Sequence, residues 1–358
     1  MNIGFFYSNY EYPPTSGSGV HCYQLVKNLT MLGYRIQTCY FGGVNPEVVH
    51  FRGRELAKFI RASDIFYIRT DIRYRLELFT LLKVLSGFRK PVVWEINAPP
   101  EERYLEGNLG KPPWFLKMRR SLLSFLTDAA VCVSEPILEY TRRELKIKKA
   151  YVVPNGSDPI HFSPGKKVCT LYKKPFNVIW AGSTRFSWHG IGTILEAARK
   201  LELLIPDLGF VIIGDRSFLP ECVPKNVICT GEIAYTEIPP YLSSGDIGVV
   251  IYKGLEKIPR GFYFSPEKLY DYMASGLPVI GHNLGQVREV IKDGCNGVLC
   301  NGTAEDLIGK ILYLKSNEPL RIQMGKHARL TIENFYNWER VAKQTDNIIR
   351  ELRKERLL

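Results

Sequence analysis

The chain has 358 residues, enough for two domains that each bury a core of their own. Its hydrophobic content of 45% is ordinary for a globular protein, and no apolar run approaches the roughly 20 residues needed to span a bilayer. A net charge of +12 predicts attraction to phosphate, on nucleotides, anionic lipid or nucleic acid, and the lack of a recognised nucleic-acid motif makes the last the least favoured.

The opening MNIGFFYSNYEYPP lacks a basic leader ahead of a long apolar stretch, so no secretory signal is expected. The eight cysteines (22, 39, 132, 169, 222, 229, 295 and 300) are scattered, with no CxxC pair. Buried free thiols in a reducing cytoplasm are expected, rather than disulfides or zinc.

Asn2–Ser8 (NIGFFYS) reads as a first buried strand. Ser16-Gly17-Ser18-Gly19 follows as a loop, ahead of a helix from Val20 to Leu32 ended by Gly33. Small residues let backbone N–H groups approach a phosphate. The full GxGxxG spacing is absent, and a tight turn without a ligand fits the same residues. Strand-like runs recur at Arg35–Phe41, Asp64–Ile68, Pro91–Ile96, Ala129–Val133 and Tyr151–Val153, with helical segments between them. Such alternation implies a parallel sheet covered on both faces. Ligands of these sheets sit beyond the carboxyl ends of the strands. Glu95 and Asn97, in Trp94-Glu95-Ile96-Asn97, are therefore candidates to face a cleft, although capping a loop would explain them too.

Pro113–Leu126 (PWFLKMRRSLLSFL) places Trp114, Phe115, Met118, Leu122 and Phe125 near helical spacing beside Lys117, Arg119 and Arg120. Lys111 precedes them, and Arg142, Arg143, Lys146, Lys148 and Lys149 follow. The favoured reading is a core-packed helix with a solvated polar face. The alternative is an amphipathic helix in an anionic membrane interface, which makes residues 111–149 a candidate peripheral contact.

Val153–Pro159 is rich in turn formers and ends the first half; the linker is placed in the Pro-, Gly- and Lys-rich stretch down to Pro175. A second α/β series follows, with strands at Phe176–Gly182, Phe210–Gly214, Val227–Thr230 and Ile247–Ile251 and helices at Ile191–Leu203 and Tyr235–Ser244. Between its first strand and helix, Ala181–Gly190 offers small residues, Arg185 and His189 ahead of a helix N-terminus, a phosphate-like site. Gly261–Gly281 (GFYFSPEKLYDYMASGLPVIG) reads as an irregular loop, a short helix from Pro266, a stop at Ser275-Gly276 and a buried strand. The N–H groups at that helix start, with Lys268 and Asp271 within one turn, suit a nucleotide diphosphate and its ribose. An ordinary strand-linked helix with solvated charges fits equally well. The tail Trp338–Leu358 is a basic amphipathic helix.

Together the Gly-rich opening, VVPNGSDPIHFSP, AGSTRFSWHGIGTILEAARKL, FVIIGD, NVICTGEI, SPEKLYDYMASGLPVIG and GQVREVIKDGCNGVLC resemble the retaining glycosyltransferases of the group 1 family, over nearly the whole chain. The resemblance implies an α/β GT-B fold, two Rossmann-like parallel-sheet domains facing across a cleft. It places an acceptor-side domain at 1–165, a donor-binding domain at 166–335 and a helix at 336–358 packing back on the first domain. It implies transfer of a sugar, with retention, from a UDP- or GDP-sugar to the hydroxyl of a glycan or lipid-linked acceptor, in polysaccharide or glycolipid biosynthesis. The donor is a substrate; no cofactor and no metal are implied, and there is no DxD pair or His cluster. The implied donor contacts are Ser18, Gly19, Gly182, Ser183, Ile233, Phe264, Ser265, Leu269 and Asp271, and the implied catalytic set is Arg185, His189, Lys268, Asn97 and Glu95. The chain departs from the family at several points. The family's paired glutamates fall on Tyr263 and Asp271, its Arg and Lys diphosphate binders on Ser183 and His189, and a common His near Asn97. A non-catalytic nucleotide-sugar-binding relative or partner subunit, and an epimerase on the same fold, are the alternatives. The expected location is cytoplasmic, with peripheral contact at the inner membrane face as the variant.

Overall fold

The structure, a computed structural model, describes residues 1–7, 14–38, 48–50, 55–69, 76–99, 114–165, 174–255, 258 and 260–357. Cys39, Cys169, Lys111, the end of the strand expected at Arg35–Phe41 and most of the expected linker lie outside these residues. The chain divides into two compact units. The first comprises Met1–Asn155, Ile258–Ser265 and Trp338–Leu358; the second comprises Gly156–Lys257 and Pro266–Asn337.

In the first unit, β1 (Asn2–Tyr7), β2 (Arg35–Thr38), β3 (Val49–His50), β4 (Ile65–Arg69), β5 (Val92–Ile96), β6 (Ala129–Cys132) and β7 (Ala150–Val152) form a parallel sheet in the order β3-β2-β1-β4-β5-β6-β7. The central strands are buried along their length, as continuous apolar runs covered on both faces must be. The helix Gly17–Met31 lies on one face beside the C-terminal helix Trp338–Leu357. Trp338, Val341, Ala342, Ile348, Ile349 and Leu352 of the latter share one core with Ile3, Phe5, Leu25, Leu29, Tyr67 and Val93.

The second unit repeats the plan. Its strands are β8 (Phe176–Ala181), β9 (Leu208–Ile213), β10 (Val227–Cys229), β11 (Ile247–Val250), β12 (Val279–His282) and β13 (Gly297–Cys300). They form a parallel sheet in the order β10-β9-β8-β11-β12-β13. In each sheet the order reverses beside its first strand, at β1/β4 and at β8/β11. A crevice opens there between helices that leave in opposite directions, so these are the two places where a ligand is expected.

Several expectations need correction. The seam falls at Asn155–Gly156, ahead of the expected boundary at Gly165. Ser157 N–H already bonds to the Tyr336 carbonyl at 3.0 Å, and a Cβ on Gly156 would meet the Asn337 backbone at 2.8 Å, so this turn is built into the second unit. Ile258–Ser265, expected in the donor domain, belongs to the first unit. There Ser134 Oγ donates to the Tyr263 carbonyl at 2.6 Å. The Ser16–Gly19 stretch is no loop: Ser16 is the N-cap of a helix that starts at Gly17. Strands β3 and β13 were not expected. Cys222 and Cys295 are exposed, whereas Cys22, Cys132 and Cys300 are buried free thiols.

The helix Trp114–Phe125 reverses the favoured orientation. Arg120 and Leu123 point inward, while Trp114, Phe115, Met118, Leu122 and Phe125 are exposed. Arg120 fixes the roll of the helix. Its guanidinium bonds to the Ala98 carbonyl at 2.9 Å and to the Tyr140 hydroxyl, and lies over the Trp94 and Tyr140 rings.

Candidate functional site

In the second unit the crevice beside β8 and β11 is built from three segments. The first is the turn after β8. Gly182 has φ +148°, and a Cβ there would come within 2.7 Å of Lys268 Nζ. Only glycine leaves room for that ammonium group. The second is the 3₁₀ turn Ser187–His189, closed by Gly190 at φ +76°, which caps the helix Ile191–Leu201. A Cβ on Gly190 would strike the Ile251 carbonyl at 2.6 Å, so glycine here lets the turn settle against the end of β11. The third is the helix Glu267–Ala274, which carries Lys268 and, one turn later, Asp271.

Lys268 lies over the Trp180 ring at 4.4 Å. Among the described residues it forms no ion pair with a carboxylate. Burial alone lowers its pKa to about 7. The site therefore holds a cation that is costly to charge until an anion arrives. His189 stacks edge-on against Trp188 at 4.0 Å, and Trp188 lies parallel to Tyr252. Burial, then the neighbouring Lys268, push the His189 pKa down to about 3, so the ring is neutral. Its Nδ1 is 3.0 Å from the Ser183 carbonyl, which can only accept. The proton therefore sits on Nδ1, and Nε2 presents a lone pair. In the ligand-free chain the free nitrogen of His189 is an acceptor. Asp271 accepts from Ser157 Oγ at 2.6 Å, and burial raises its pKa to about 7.

Other expected donors are already occupied. The Leu269 N–H bonds to the Pro266 carbonyl at 3.0 Å and its side chain is core. Glu267 occupies the first turn, so a carboxylate already sits at that helix N-terminus. Arg185 is exposed and lies 6.0 Å from the Phe186 ring. Ile233 is half-buried beside Gly231, whose φ is +80°.

In the first unit the corresponding crevice is plugged. Glu95 on β5 is 1% exposed and sits opposite Arg69 of β4 in the sheet register. Arg69 Nη1 reaches Glu95 Oε1 at 2.7 Å, Tyr67 OH reaches Oε2 at 2.6 Å, and His21 Nε2 lies 2.9 Å from Oε1. Burial would raise this carboxyl, but His21 and Arg69 and the hydrogen bonds outweigh it and hold it at about 2. Glu95 is an internal countercharge, not a cleft-facing group. His21 Nδ1 is 2.7 Å from Asn155 Oδ1. Asn155 in turn donates to Ser265 from its backbone N–H and its side-chain amide, both at 2.8 Å. The Ser265 hydroxyl and carbonyl, expected to meet a sugar, thus hold Asn155. The Gly19 N–H bonds to Ser16 Oγ at 3.1 Å, and the Ser18 carbonyl accepts from Tyr7 OH at 2.7 Å. Asn97 is half-buried just past β5, and Phe264 packs its ring on Tyr263.

Residues 175–317, which carry all of the second sheet and the Lys268 crevice, match the sequence profile of the family described as Glycosyl transferases group 1. It is this part of the chain that is similar to the group 1 glycosyl transferases. Among similar proteins, an uncharacterized glycosyltransferase of Methanocaldococcus jannaschii is 24% identical over 229 residues, 63% of this chain and 60% of that protein. The GDP-mannose-dependent monoacylated alpha-(1-6)-phosphatidylinositol monomannoside mannosyltransferase of Corynebacterium glutamicum is 24% identical over 256 residues, 64% of this chain and 65% of that protein. The match thus spans less than two thirds of either relative. Among solved structures, sucrose-phosphate synthase of Thermosynechococcus elongatus aligns with TM-score 0.73 and 15% identity over 99% of both chains. Anabaena HepE in complex with UDP-glucose aligns with TM-score 0.71 and 16% identity, over 99% of this chain and 100% of that one. At such identity the likeness is one of fold, and the fold is GT-B.

Within the matched region, the residues that converge at the second crevice are Gly182, Ser183, His189 and Lys268, from three separate segments. Trp180, which carries the lysine on its face, was missed from the sequence. Its signal was an aromatic residue near the end of a buried strand, two residues before a glycine. Ser157, the partner of Asp271, was also missed, because more than a hundred residues separate the two.

Proposed function

We propose that the chain transfers a sugar from a nucleoside diphosphate donor to an acceptor hydroxyl, with retention and without a bound metal. The observation that carries this reading is Lys268, a buried ammonium group lacking a carboxylate partner among the described residues, set on Trp180 beside the open backbone of Gly182. A diphosphate placed there supplies the missing countercharge. The acceptor oxygen bonds to the anomeric carbon as the bond from that carbon to the diphosphate oxygen breaks. The leaving diphosphate takes the acceptor's proton, and Lys268 stabilises its growing charge, the kind of preorganised electrostatics that dominates many enzymes. The lone pair on His189 Nε2 accepts from a donor hydroxyl, and Asp271 accepts from the ribose. UDP and GDP are the candidate bases because one relative is named for GDP-mannose and one fold neighbour was solved with UDP-glucose. The acceptor class is a glycan or a lipid-linked sugar.

A second reading, a non-catalytic nucleotide-sugar binder, is favoured by one observation. Tyr263, at the position of the family's first glutamate, is fully buried and offers no carboxylate. Thermal unfolding with UDP, GDP, UDP-glucose and GDP-mannose, in the presence of a chelator, tests the donor site. A base-selective rise in Tm is expected, since ligands of the native state stabilise it. No shift with any of the four refutes the site. A donor that binds, yet releases no free nucleotide with any glycan or lipid-linked acceptor, favours the second reading.

A further inference from the structure

One buried histidine joins three of the four places where the chain enters or leaves the first unit. These places are Asn155, Ile258, Ser265 and Trp338. His21, on the helix Gly17–Met31, is 3% exposed, and its ring meets that of Trp338 edge-on at 5.2 Å. Its Nδ1 lies 2.7 Å from Asn155 Oδ1. Asn155 reaches Ser265 twice, from its backbone N–H to the hydroxyl and from its side-chain amide to the carbonyl. Just before Ser265, the bond from Ser134 holds the Tyr263 carbonyl.

The protons in this chain of bonds have one order. The Ser265 carbonyl can only accept, so the amide nitrogen of Asn155 faces it and Oδ1 is left for His21. An amide oxygen also only accepts, so His21 Nδ1 carries a proton whatever the charge of the ring. The opposite nitrogen, Nε2, lies 2.9 Å from Glu95 Oε1, and that carboxylate is held by Arg69 and Tyr67 of β4. The ring is thus braced against the sheet on one side and aims a fixed N–H at Asn155 on the other. A connected buried network of this kind adds little net stability but rigidifies one arrangement.

The chain beyond the two anchored residues runs into the Lys268 crevice. Pro266, next after Ser265, is the N-cap of the helix Glu267–Ala274 that carries Lys268. Ser157, which donates to Asp271, comes two residues after Asn155. A displacement of about 1 Å in a reacting or stabilising group can cost on the order of a hundred-fold in rate.

We propose that His21 is a positioning residue for the transfer reaction: through Asn155 and Ser265 it fixes the start of the helix that carries Lys268. This role rests on the transfer of a sugar proposed above. Two substitutions separate the ring's two nitrogens. In His21→Asn the amide nitrogen takes the place of Nδ1 and keeps the bond to Asn155. In His21→Gln it takes the place of Nε2 and keeps only the contact with Glu95. Both lose the ring against Trp338, so a lower Tm is expected of both and does not distinguish them. Amide hydrogen exchange of the ligand-free full chain does. Residues 266–274 should exchange roughly ten-fold faster in His21→Gln and at about the native rate in His21→Asn, with residues 176–181 and 247–250 unchanged in both. Nucleotide-sugar turnover should follow, with kcat/KM roughly ten- to hundred-fold lower in His21→Gln and within about three-fold of native in His21→Asn. Should neither variant fold, Ser265→Ala removes the hydroxyl that holds the Asn155 N–H and should give the same faster exchange at 266–274. Equal exchange in the two histidine variants, native exchange in Ser265→Ala, or equal turnover in the two where the native chain is active, overturns the proposal. The exchange contrast in a chain that turns over no nucleotide-sugar supports the positioning of the Lys268 helix and refutes the transfer reading instead.

Discussion

Replacing Lys268 by Met separates the cost of a buried charge from its use. The fall in pKa from 10.5 to about 7 corresponds to roughly 5 kcal/mol of unfavourable charging in the ligand-free chain. Relaxation and water penetration around the ammonium group reduce this to ~2–4 kcal/mol. The sign follows from proton counts. Between pH 7 and 10.5 the unfolded lysine keeps its proton and the native one releases it, so this group's contribution to stability rises with pH across that window. Well below pH 7, where the native lysine is protonated too, the penalty is complete. Lys268→Met keeps the apolar stem on Trp180 and removes the charge, so the ligand-free variant should unfold at higher urea concentration at pH 7. Nucleotide-sugar affinity should fall roughly hundred-fold, the value of one buried charge-assisted hydrogen bond or a little more. Calorimetry at pH 8 adds a second signature. Native Lys268 is then about one-tenth protonated, and a bound diphosphate restores its ordinary pKa, so binding takes up about 0.9 proton. His189 contributes nothing at that pH, and a UDP-sugar has no titration near it. A binding enthalpy at pH 8 that does not change with the buffer's ionisation enthalpy would refute the assignment. So would a variant that loses stability while keeping its affinity.

Asp271 behaves in the opposite sense. Its native pKa of about 7 stands above the ordinary 3.8, so it lowers stability progressively as pH rises between the two, and fully above 7. Asp271→Asn should therefore raise the ligand-free Tm at pH 8 while weakening nucleotide-sugar binding by roughly ten-fold, measured by scanning and titration calorimetry. Glu95 is held at about 2 against an ordinary 4.5, so its contribution is present above pH 4.5 and is lost as pH falls towards 2. Glu95→Gln leaves Arg69 buried without its countercharge and should cost roughly 3–5 kcal/mol in urea unfolding. Donor affinity should be unchanged, and a loss there would return Glu95 to the ligand site.

Most strands were legible because a parallel sheet covered on both faces demands continuous apolar runs, and AAVC, FVII and IGVV have no other use. The end of the helix Glu267–Ala274 was legible too, since Gly276 takes φ +75°. Lys268 stood out as a candidate because it lies near a helix start within a recognisable motif. What failed was whatever depends on partners distant in sequence. Glu95 looks like a strand-end carboxylate until Arg69, Tyr67 and His21 are brought around it by β4 and by the first helix. Ser265 looks like a ligand contact until Asn155 takes both its groups. The Trp114–Phe125 helix has apolar residues at helical spacing, but spacing does not say which side faces inward. That was decided by Arg120, an arginine held by a carbonyl, a hydroxyl and two aromatic rings.

The helix Trp338–Leu357 completes a core begun by Ile3 and Phe5 at the other end of the chain. During synthesis the first sheet therefore emerges with one face bare, and Leu25, Leu29 and Val93 wait for Trp338 and Ile349. The second unit has every strand in hand once Cys300 is made. Folding that must await distant contacts is slow and leaves apolar surface open to misassociation. The half of this protein translated first therefore closes its core only after the second half has been made.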